Sequence, residues 1–191
     1  RQRQMCIRDR PSIMRDFPEF HYDEMKSRAE NVLTSYLQSI TKQNPALLSE
    51  GTRELKEQLR LRLEMLQNQS QKESFENIHI HRTEIHQYRK QRGRQSIVLQ
   101  TAVEYFHALK ENGKVIRGSE EHKEQAKYNV ELVYIQDQDM IENQEDAGLG
   151  LNCPNCGAPL PGLGAKKCIY CDTPIVEYNL RVWNFSRVEE V

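Results

Sequence analysis

The chain has 191 residues, of which 29% are charged, and its mean hydropathy is −0.81. No apolar run approaches the roughly 20 residues that a membrane-spanning helix needs. The formal net charge of −1 argues against a nucleic-acid-binding protein, whose contact surface is usually basic. The length suits one domain with a small appendage, since domains typically have about 100–150 residues.

The first ten residues, RQRQMCIRDR, resemble the conceptual translation of a sequencing-library adapter, residue for residue from Arg1 to Asp9. We therefore interpret residues 1–10 as an adapter-derived scar that is not native, the alternative being a genuine basic leader. The natural chain would then be a fragment that begins near Pro11, and any membrane anchor before it would be lost. Without the scar, 27 basic and 28 acidic residues become 23 and 27, so the net charge becomes −4. Cys6 is also removed, which leaves four cysteines, all in one loop.

Two amphipathic helices are predicted in the first third of the chain. From Asp23 to Lys42 apolar residues recur at three- and four-residue steps, which is the period of one helix face. Asn44 and Pro45 then restart the chain, with Asn as the cap and Pro at a first helical position. The second helix follows Thr52, a predicted N-cap. We expect both apolar stripes to be packing faces. The first contains Met25, Ala29, Val32, Leu33, Tyr36, Leu37 and Ile40, and the second contains Leu55, Leu59, Leu63 and Leu66.

From Phe75 onward the apolar period changes to two, which predicts β-strands. The segment NIHIHRTEIHQY loses its parity between Ile80 and Ile85, which indicates a bulge or sharp bend. Arg92-Gly93 and Asn112-Gly113 are turn signals. Helices followed by an antiparallel meander are typical of an α+β domain with helices on one face of a sheet. The apolar faces of two strands consist of Ile97, Leu99, Val103, Tyr105 and Leu109, and of Tyr128, Val130, Leu132 and Tyr134. A last strand is predicted in EYNLRVWNFSRV.

Two Cys-x-x-Cys pairs separated by eleven residues have the spacing of a zinc ribbon. Each pair presents two thiolates, and together they complete a tetrahedron around one ion. We predict one structural Zn²⁺ held by Cys153, Cys156, Cys168 and Cys171, because a closed four-ligand site has no open position for a substrate. A redox dithiol, a disulfide pair and an iron site remain alternatives. Strand-like sequence lies on both sides, so the ribbon, residues 152–174, is expected to be an insertion between two strands.

Nucleic-acid binding by this ribbon is a further alternative. Ribbons that bind nucleic acid carry basic and aromatic residues on their own strands. This one offers only Lys166, Lys167 and Tyr170, so we do not expect a nucleic-acid partner.

The order of helix, helix, bent strand, long strand and strand, closed by Trp183-x-Phe185-x-Arg187, resembles the Tim-forty-four-like domain. The insertion CPNCGAPL…KCIYCDTPI before the closing strand is similar to bacterial members of this family described as zinc-ribbon transport proteins. The resemblance covers residues 17–191, interrupted by the ribbon at residues 152–174. It implies the cone of nuclear transport factor two-like proteins, in which helices and a curved antiparallel sheet enclose a pocket.

The resemblance also implies a function. Members of the family are non-enzymatic, membrane-peripheral proteins associated with transport, and they bind protein partners. For this chain it implies a location in the cytoplasm or at the cytoplasmic face of a bacterial membrane. A membrane association through a lost N-terminal segment would fit the same expectation.

An enzymatic or small-ligand pocket of the same fold is the alternative function. His79 and His81 lie two residues apart on a predicted strand, but no carboxylate at ligand spacing accompanies them, so we expect a solvated face. His107 falls on the apolar parity of the long strand and could lie in a pocket wall. No Ser/His/Asp arrangement, phosphate loop or paired-carboxylate pattern is present, so we expect no catalytic residues. A deep cavity lined by His107 and polar groups would favour a ligand pocket, and an exposed apolar patch would favour a protein partner.

Overall fold

Helices precede an antiparallel sheet in the computed structural model, which describes residues 2–18, 20–91, 94–135, 156, 168, 170–172 and 183–191. Within these residues the fold is α+β, with three α-helices and one five-stranded sheet. No helix among them is long and apolar enough to cross a membrane. The elements are α1 (Gln2–Asp16), α2 (Tyr22–Lys42), a 3₁₀ turn (Pro45–Leu47), α3 (Arg53–Asn68), β1 (Gln71–Gln91), β2 (Arg94–Glu111), β3 (Lys114–Gly118), β4 (Glu124–Ile135) and β5 (Trp183–Glu190).

Helices α2 and α3 confirm the predicted apolar stripes. All seven residues of the first stripe are buried in α2, and Leu55, Leu59 and Leu66 are buried in α3, whereas Leu63 is partly buried. Thr52 is the predicted N-cap, since its hydroxyl accepts a hydrogen bond of 3.3 Å from the Leu55 amide. The two helices therefore pack through these stripes against one face of the sheet.

Strand β2 lies at the centre of the sheet, whose order is β1-β2-β4-β5. One edge of β2 pairs with β1 along its whole length. The other edge pairs with β4 over residues 94–105 and with β3 over residues 108–111. Strands β3 and β4 are thus two parts of one interrupted strand along the same edge of β2.

The predicted irregularity in β1 is confirmed. The β1–β2 register shifts between Ile80 and Arg82, inside the interval where the apolar parity is lost, and two further shifts lie on either side. An extra residue in one strand reverses which side chains face the core. Before the shift the even-numbered Ile80 packs against the core. After it, the odd-numbered Thr83 and Ile85 are the buried residues.

The closing strand β5 is tied to both long helices. Trp183 is 5% exposed, and its ring centre lies 4.9 Å from that of Phe17. Arg28 in α2 pairs with Glu50 and donates a hydrogen bond of 3.1 Å to the carbonyl of Trp183. The Thr52 amide donates a bond of 2.8 Å to the carbonyl of Phe185. The first six residues of the predicted last strand lie outside the described residues.

Helix α1 includes the residues interpreted as a scar. The carboxylate of Asp9 accepts a hydrogen bond of 3.2 Å from the Tyr88 amide, and Ile13 is fully buried. The Arg10 guanidinium lies 4.8 Å from the centre of the Tyr22 ring. These contacts do not test where the residues come from, so the scar at residues 1–10 stays a prediction.

Two glycines shape the turn and the bend that surround β3. The predicted turn at Asn112-Gly113 is confirmed, with φ of 53° and 79° as in a mirror-image hairpin turn. The turn predicted at 92–93 lies outside the described residues. Gly118 also has a positive φ of 77°, and a Cβ there would lie 2.1 Å from the carbonyl oxygen of His107. The bend at Gly118, which ends β3, has no counterpart in the predictions.

We expect Gly118→Ala to lower the free energy of unfolding by at least about 2 kcal/mol, because the new Cβ meets backbone and the φ is unfavourable. Gly113→Ala is the matched control. It has a similar φ of 79° but nothing within 4 Å of a Cβ, so it should cost only about 1 kcal/mol. Urea unfolding of both variants measures the difference, and equal losses would contradict the close approach at Gly118.

Candidate functional site

Three of the four predicted metal ligands come together in the structure. One ligand atom from each of Cys156, Cys168 and Cys171 lies within 4.8 Å of the others. The Sγ atoms of Cys156 and Cys168 are 3.7 Å apart, which is much longer than the roughly 2.05 Å of a disulfide bond. Sulfur atoms around a tetrahedral zinc ion, with bonds of about 2.3 Å, would be about 3.8 Å apart. The three cysteines can therefore hold a metal ion.

The turn after Cys168 supports this thiol cluster. Cys168 is fully buried, and its Sγ accepts a hydrogen bond of 3.4 Å from the Tyr170 amide. Cys153 and most of residues 152–174 lie outside the described residues. The four-cysteine set and the inserted ribbon therefore stay predictions.

A cavity of about 330 Å³ lies where helices α2 and α3 meet the sheet. All five strands contribute to its wall. The charged or titratable side chains at the wall include Arg62, Glu73, His107, Arg117, Glu124 and Glu190. A second hollow of about 570 Å³ adjoins Glu73 and has no histidine among its described lining residues. The smaller cavity is thus the one whose wall contains the histidine singled out in the sequence.

His107 lies between two carboxylates in this wall. Its Nε2 is 2.8 Å from Glu73 and its Nδ1 is 2.7 Å from Glu124. Only 13% of its side chain is exposed, and its ring stacks on Phe75 at a centroid distance of 4.7 Å. The other Glu73 oxygen accepts a bond of 3.1 Å from Nε of Arg62. A chain of alternating charges thus joins α3, β1, β2 and β4.

The fold dictates this chain of charges. Phe75 lies directly opposite His107 in the β1–β2 register, and Glu73 is on the same face two residues earlier. The Ser119 amide donates a bond of 2.7 Å to the His107 carbonyl, so the bend after Gly118 passes close to β2. That bend delivers Glu124, the first residue of β4, to the imidazole.

The charges of the two carboxylates determine the protonation of His107. Ionised carboxylates only accept hydrogen bonds, so this geometry favours the imidazolium form, in which both ring nitrogens carry protons. Burial alone would lower the pKa of His107, but hydrogen bonds and charge from Glu73 and Glu124 outweigh it and raise the pKa. Burial would raise the pKa of Glu73, yet the bonds from His107 and Arg62 outweigh it and lower the pKa. Neither imidazole nitrogen is left for another partner.

A pair of tyrosines lies next to this network. The hydroxyls of Tyr105 and Tyr128 are 2.8 Å apart, and Tyr128 lines the cavity. Burial raises the pKa of Tyr105 to about 12, and burial followed by the bond to Tyr105 raises the pKa of Tyr128 still further. Both hydroxyls therefore stay protonated at neutral pH, and that of Tyr128 adds a neutral polar group to the wall.

His79 and His81 lie on the exposed part of β1, as predicted, but a carboxylate does accompany them. Nε2 of His81 is 3.4 Å from a carboxylate oxygen of Glu104. The solvated face agrees with the prediction, and the acidic neighbour, Glu104, comes from the adjacent strand, β2. Spacing along one strand does not show a partner that comes from the next.

His107 can be singled out from its position in the sequence pattern, but its partners cannot. Glu73 did carry a signal, because it shares the inward-facing parity of Phe75 in β1 and is nevertheless charged. A charged residue at such a position requires a buried partner. Arg62 and Glu124 reach the site only through tertiary packing, so no local pattern identifies them.

Comparison with protein-family models and with curated proteins finds no match for this chain. The resemblance to the Tim-forty-four-like domain therefore stays a proposal.

We expect the purified protein to contain about one zinc ion per chain and Cys168→Ser to lose it, because Cys168 is one of the three clustered cysteines that could hold the ion. Cys6→Ser is the control and should keep the metal, since Cys6 lies outside the cysteine loop. Elemental analysis of the three proteins measures this. A metal-free protein with a Cys153–Cys156 disulfide would contradict the prediction.

His107→Gln should lower stability most at mildly acidic pH. Because the folded protein raises the pKa of His107, its ion pairs contribute fully below the ordinary histidine pKa of about 6.5. The stability that these ion pairs contribute is lost as the pH rises through the pKa of His107 in the folded protein. We expect a loss of about 1–3 kcal/mol near pH 6, decreasing well above the folded pKa of His107. Urea unfolding across this pH range measures the loss of unfolding free energy, with His86→Gln as the control. A loss that does not change with pH would contradict a protonated His107.

Proposed function

We propose that this protein is a non-catalytic binding module whose polar cavity binds a small polar ligand. The observation that carries the proposal is the Arg62–Glu73–His107–Glu124 network in the wall of the cavity of about 330 Å³. This volume falls at the lower end of the roughly 300–1,000 Å³ of small-molecule sites. The lining by His107 and several polar groups is one part of what the sequence analysis expects of a ligand pocket, the other part being depth.

The protonation of the network supports binding without catalysis. An imidazolium bonded at both nitrogens has no lone pair with which to accept a proton, so His107 is not poised as a general base. Glu73 already accepts bonds from His107 and Arg62. No serine, cysteine, threonine or lysine is found among the described residues of the wall. The groups that line the cavity are thus suited to holding charge in place.

Two exposed residues of opposite charge supply the binding contacts. Arg117 and Glu190 both line the cavity, and neither forms an ion pair within the described part of the chain. Each can therefore take a ligand group of opposite charge without first breaking an internal bond. A small zwitterion or a short polar molecule with one charged end fits this arrangement.

Association with a protein partner is the second candidate, and exposed apolar side chains favour it. Tyr170 is 67% exposed between Cys168 and Cys171, on the turn that these cysteines would fix around zinc. Leu61 and Met65 are 52% and 40% exposed one helical turn apart on α3. In this candidate the metal-bound turn presents a rigid contact surface.

Family membership belongs to the same proposal. The order of α2, α3 and the strands, with Trp183-x-Phe185 on the closing strand, supports a Tim-forty-four-like domain with a cone-shaped body and an inserted zinc ribbon of four cysteines. On this basis we place the protein in the cytoplasm or at the cytoplasmic face of a bacterial membrane, in a transport-associated role.

A thermal-shift panel of amino acids, small mono- and dicarboxylates and small amines tests the ligand proposal. We expect at least one class to raise the melting temperature and to bind about tenfold more weakly to Arg117→Gln or Glu190→Gln, since a charge-assisted hydrogen bond contributes roughly 1.5 kcal/mol. Lys110→Gln is the control, because Lys110 pairs with Glu120 and does not line this cavity. Binding that is indifferent to both cavity variants, or no stabilisation by any class, would contradict the proposal.

A further inference from the structure

A cluster of two histidines and one glutamate lies on the sheet, on residues that take no part in the cavity or the cysteine cluster. His79 and His81 are separated by one residue on β1, so their side chains leave the strand on the same side. Their ring centroids are 4.8 Å apart, with an interplanar angle of 75°. The two imidazoles are therefore close enough to share one ion.

The third member comes from the neighbouring strand. Glu104 lies directly opposite His79 in the β1–β2 register. It alternates with the buried Val103 and Tyr105, so it points away from the core. The register shift between Ile80 and Arg82 leaves His81 as the extra residue of the bulge, and its Nε2 lies 3.4 Å from Glu104. Bulges redirect side chains in this way.

We propose that His79, His81 and Glu104 form a second metal site, which binds a first-row divalent cation such as Zn²⁺. Two imidazoles and one carboxylate are a donor set that suits zinc, nickel and copper. No ligand of this site is shared with the cysteine cluster. The site is thus chemically distinct from the thiolate site.

Exposure determines what kind of site this is. The side chains of His81 and Glu104 are 42% and 25% exposed, and His79 is exposed as well. The donor atoms of the three residues do not converge as the three cysteine sulfurs do, so binding requires these exposed side chains to rotate. Three protein ligands on an open surface leave the remaining coordination positions to water. The ion should exchange readily, unlike one held by buried thiolates such as Cys168.

Calorimetric titration of the zinc-loaded protein with Zn²⁺ tests the site. We expect one further ion to bind per chain, with affinity at least tenfold lower in His79→Gln, in His81→Gln and in Glu104→Gln. His86→Gln is the matched control and should bind like the wild type. His86 belongs to the same strand but lies five residues beyond His81, or about 16 Å away.

A spectroscopic measurement separates this site from the cysteines. Co²⁺ added to the zinc-loaded protein should produce ligand-field absorption without the charge-transfer band of a cobalt–thiolate bond. Ni²⁺ should broaden the NMR signals of His79 and His81 and not that of His86, which also tests the site if a variant fails to fold. Either the absence of a further bound ion, or binding that persists in the His79→Gln/His81→Gln double variant, would overturn the proposal.

Discussion

The close approach of Gly118 to the backbone of His107 determines the arrangement of the sheet around the cavity. A side chain at this position would collide with the His107 carbonyl, which instead accepts a bond from the Ser119 amide. The chain must bend there, so one long edge strand is divided into β3 and β4. The bend brings Glu124 onto the imidazole, and it leaves Arg117 at the cavity wall. Gly118 thus lets the chain turn from the β2–β3 hairpin towards the residues of the polar cavity wall.

The charges of Arg62, Glu73 and His107 depend on one another. Each is stable where it lies because an opposite charge is next to it. The Glu73 side chain is 5% exposed, and a carboxylate at that depth loses most of its hydration. Arg62 on α3 and His107 on β2 compensate for it from two directions. Removing either partner leaves a charge that the interior solvates poorly. The network therefore links α3 to β1 and β2 through Glu73.

Much of the fold can be predicted from sequence because it depends on local pattern. The buried stripe of α2, the Thr52 cap, the parity of β2 and the irregularity of β1 each follow from the spacing of neighbouring residues. The sites depend on residues brought together across strands. His107 is identified by its place on the apolar face of β2. Glu124 contacts it only because of the bend at Gly118, which the sequence analysis does not predict. Glu104 likewise meets His81 through strand register, which sequence spacing does not contain.

The bonds between β5 and the helices have a consequence for how the chain folds as it is synthesised. The carbonyls of Trp183, Phe185 and Val188 are acceptors for Arg28, for the Thr52 amide and for Gln58, residues made more than a hundred positions earlier. The helices are made first and β1 follows them directly, so part of their apolar surface can be covered before β5 exists. Contacts this distant in sequence close late, because a long loop must first be ordered. Strand β5 is therefore expected to dock late, onto helices whose apolar faces the earlier strands already cover in part.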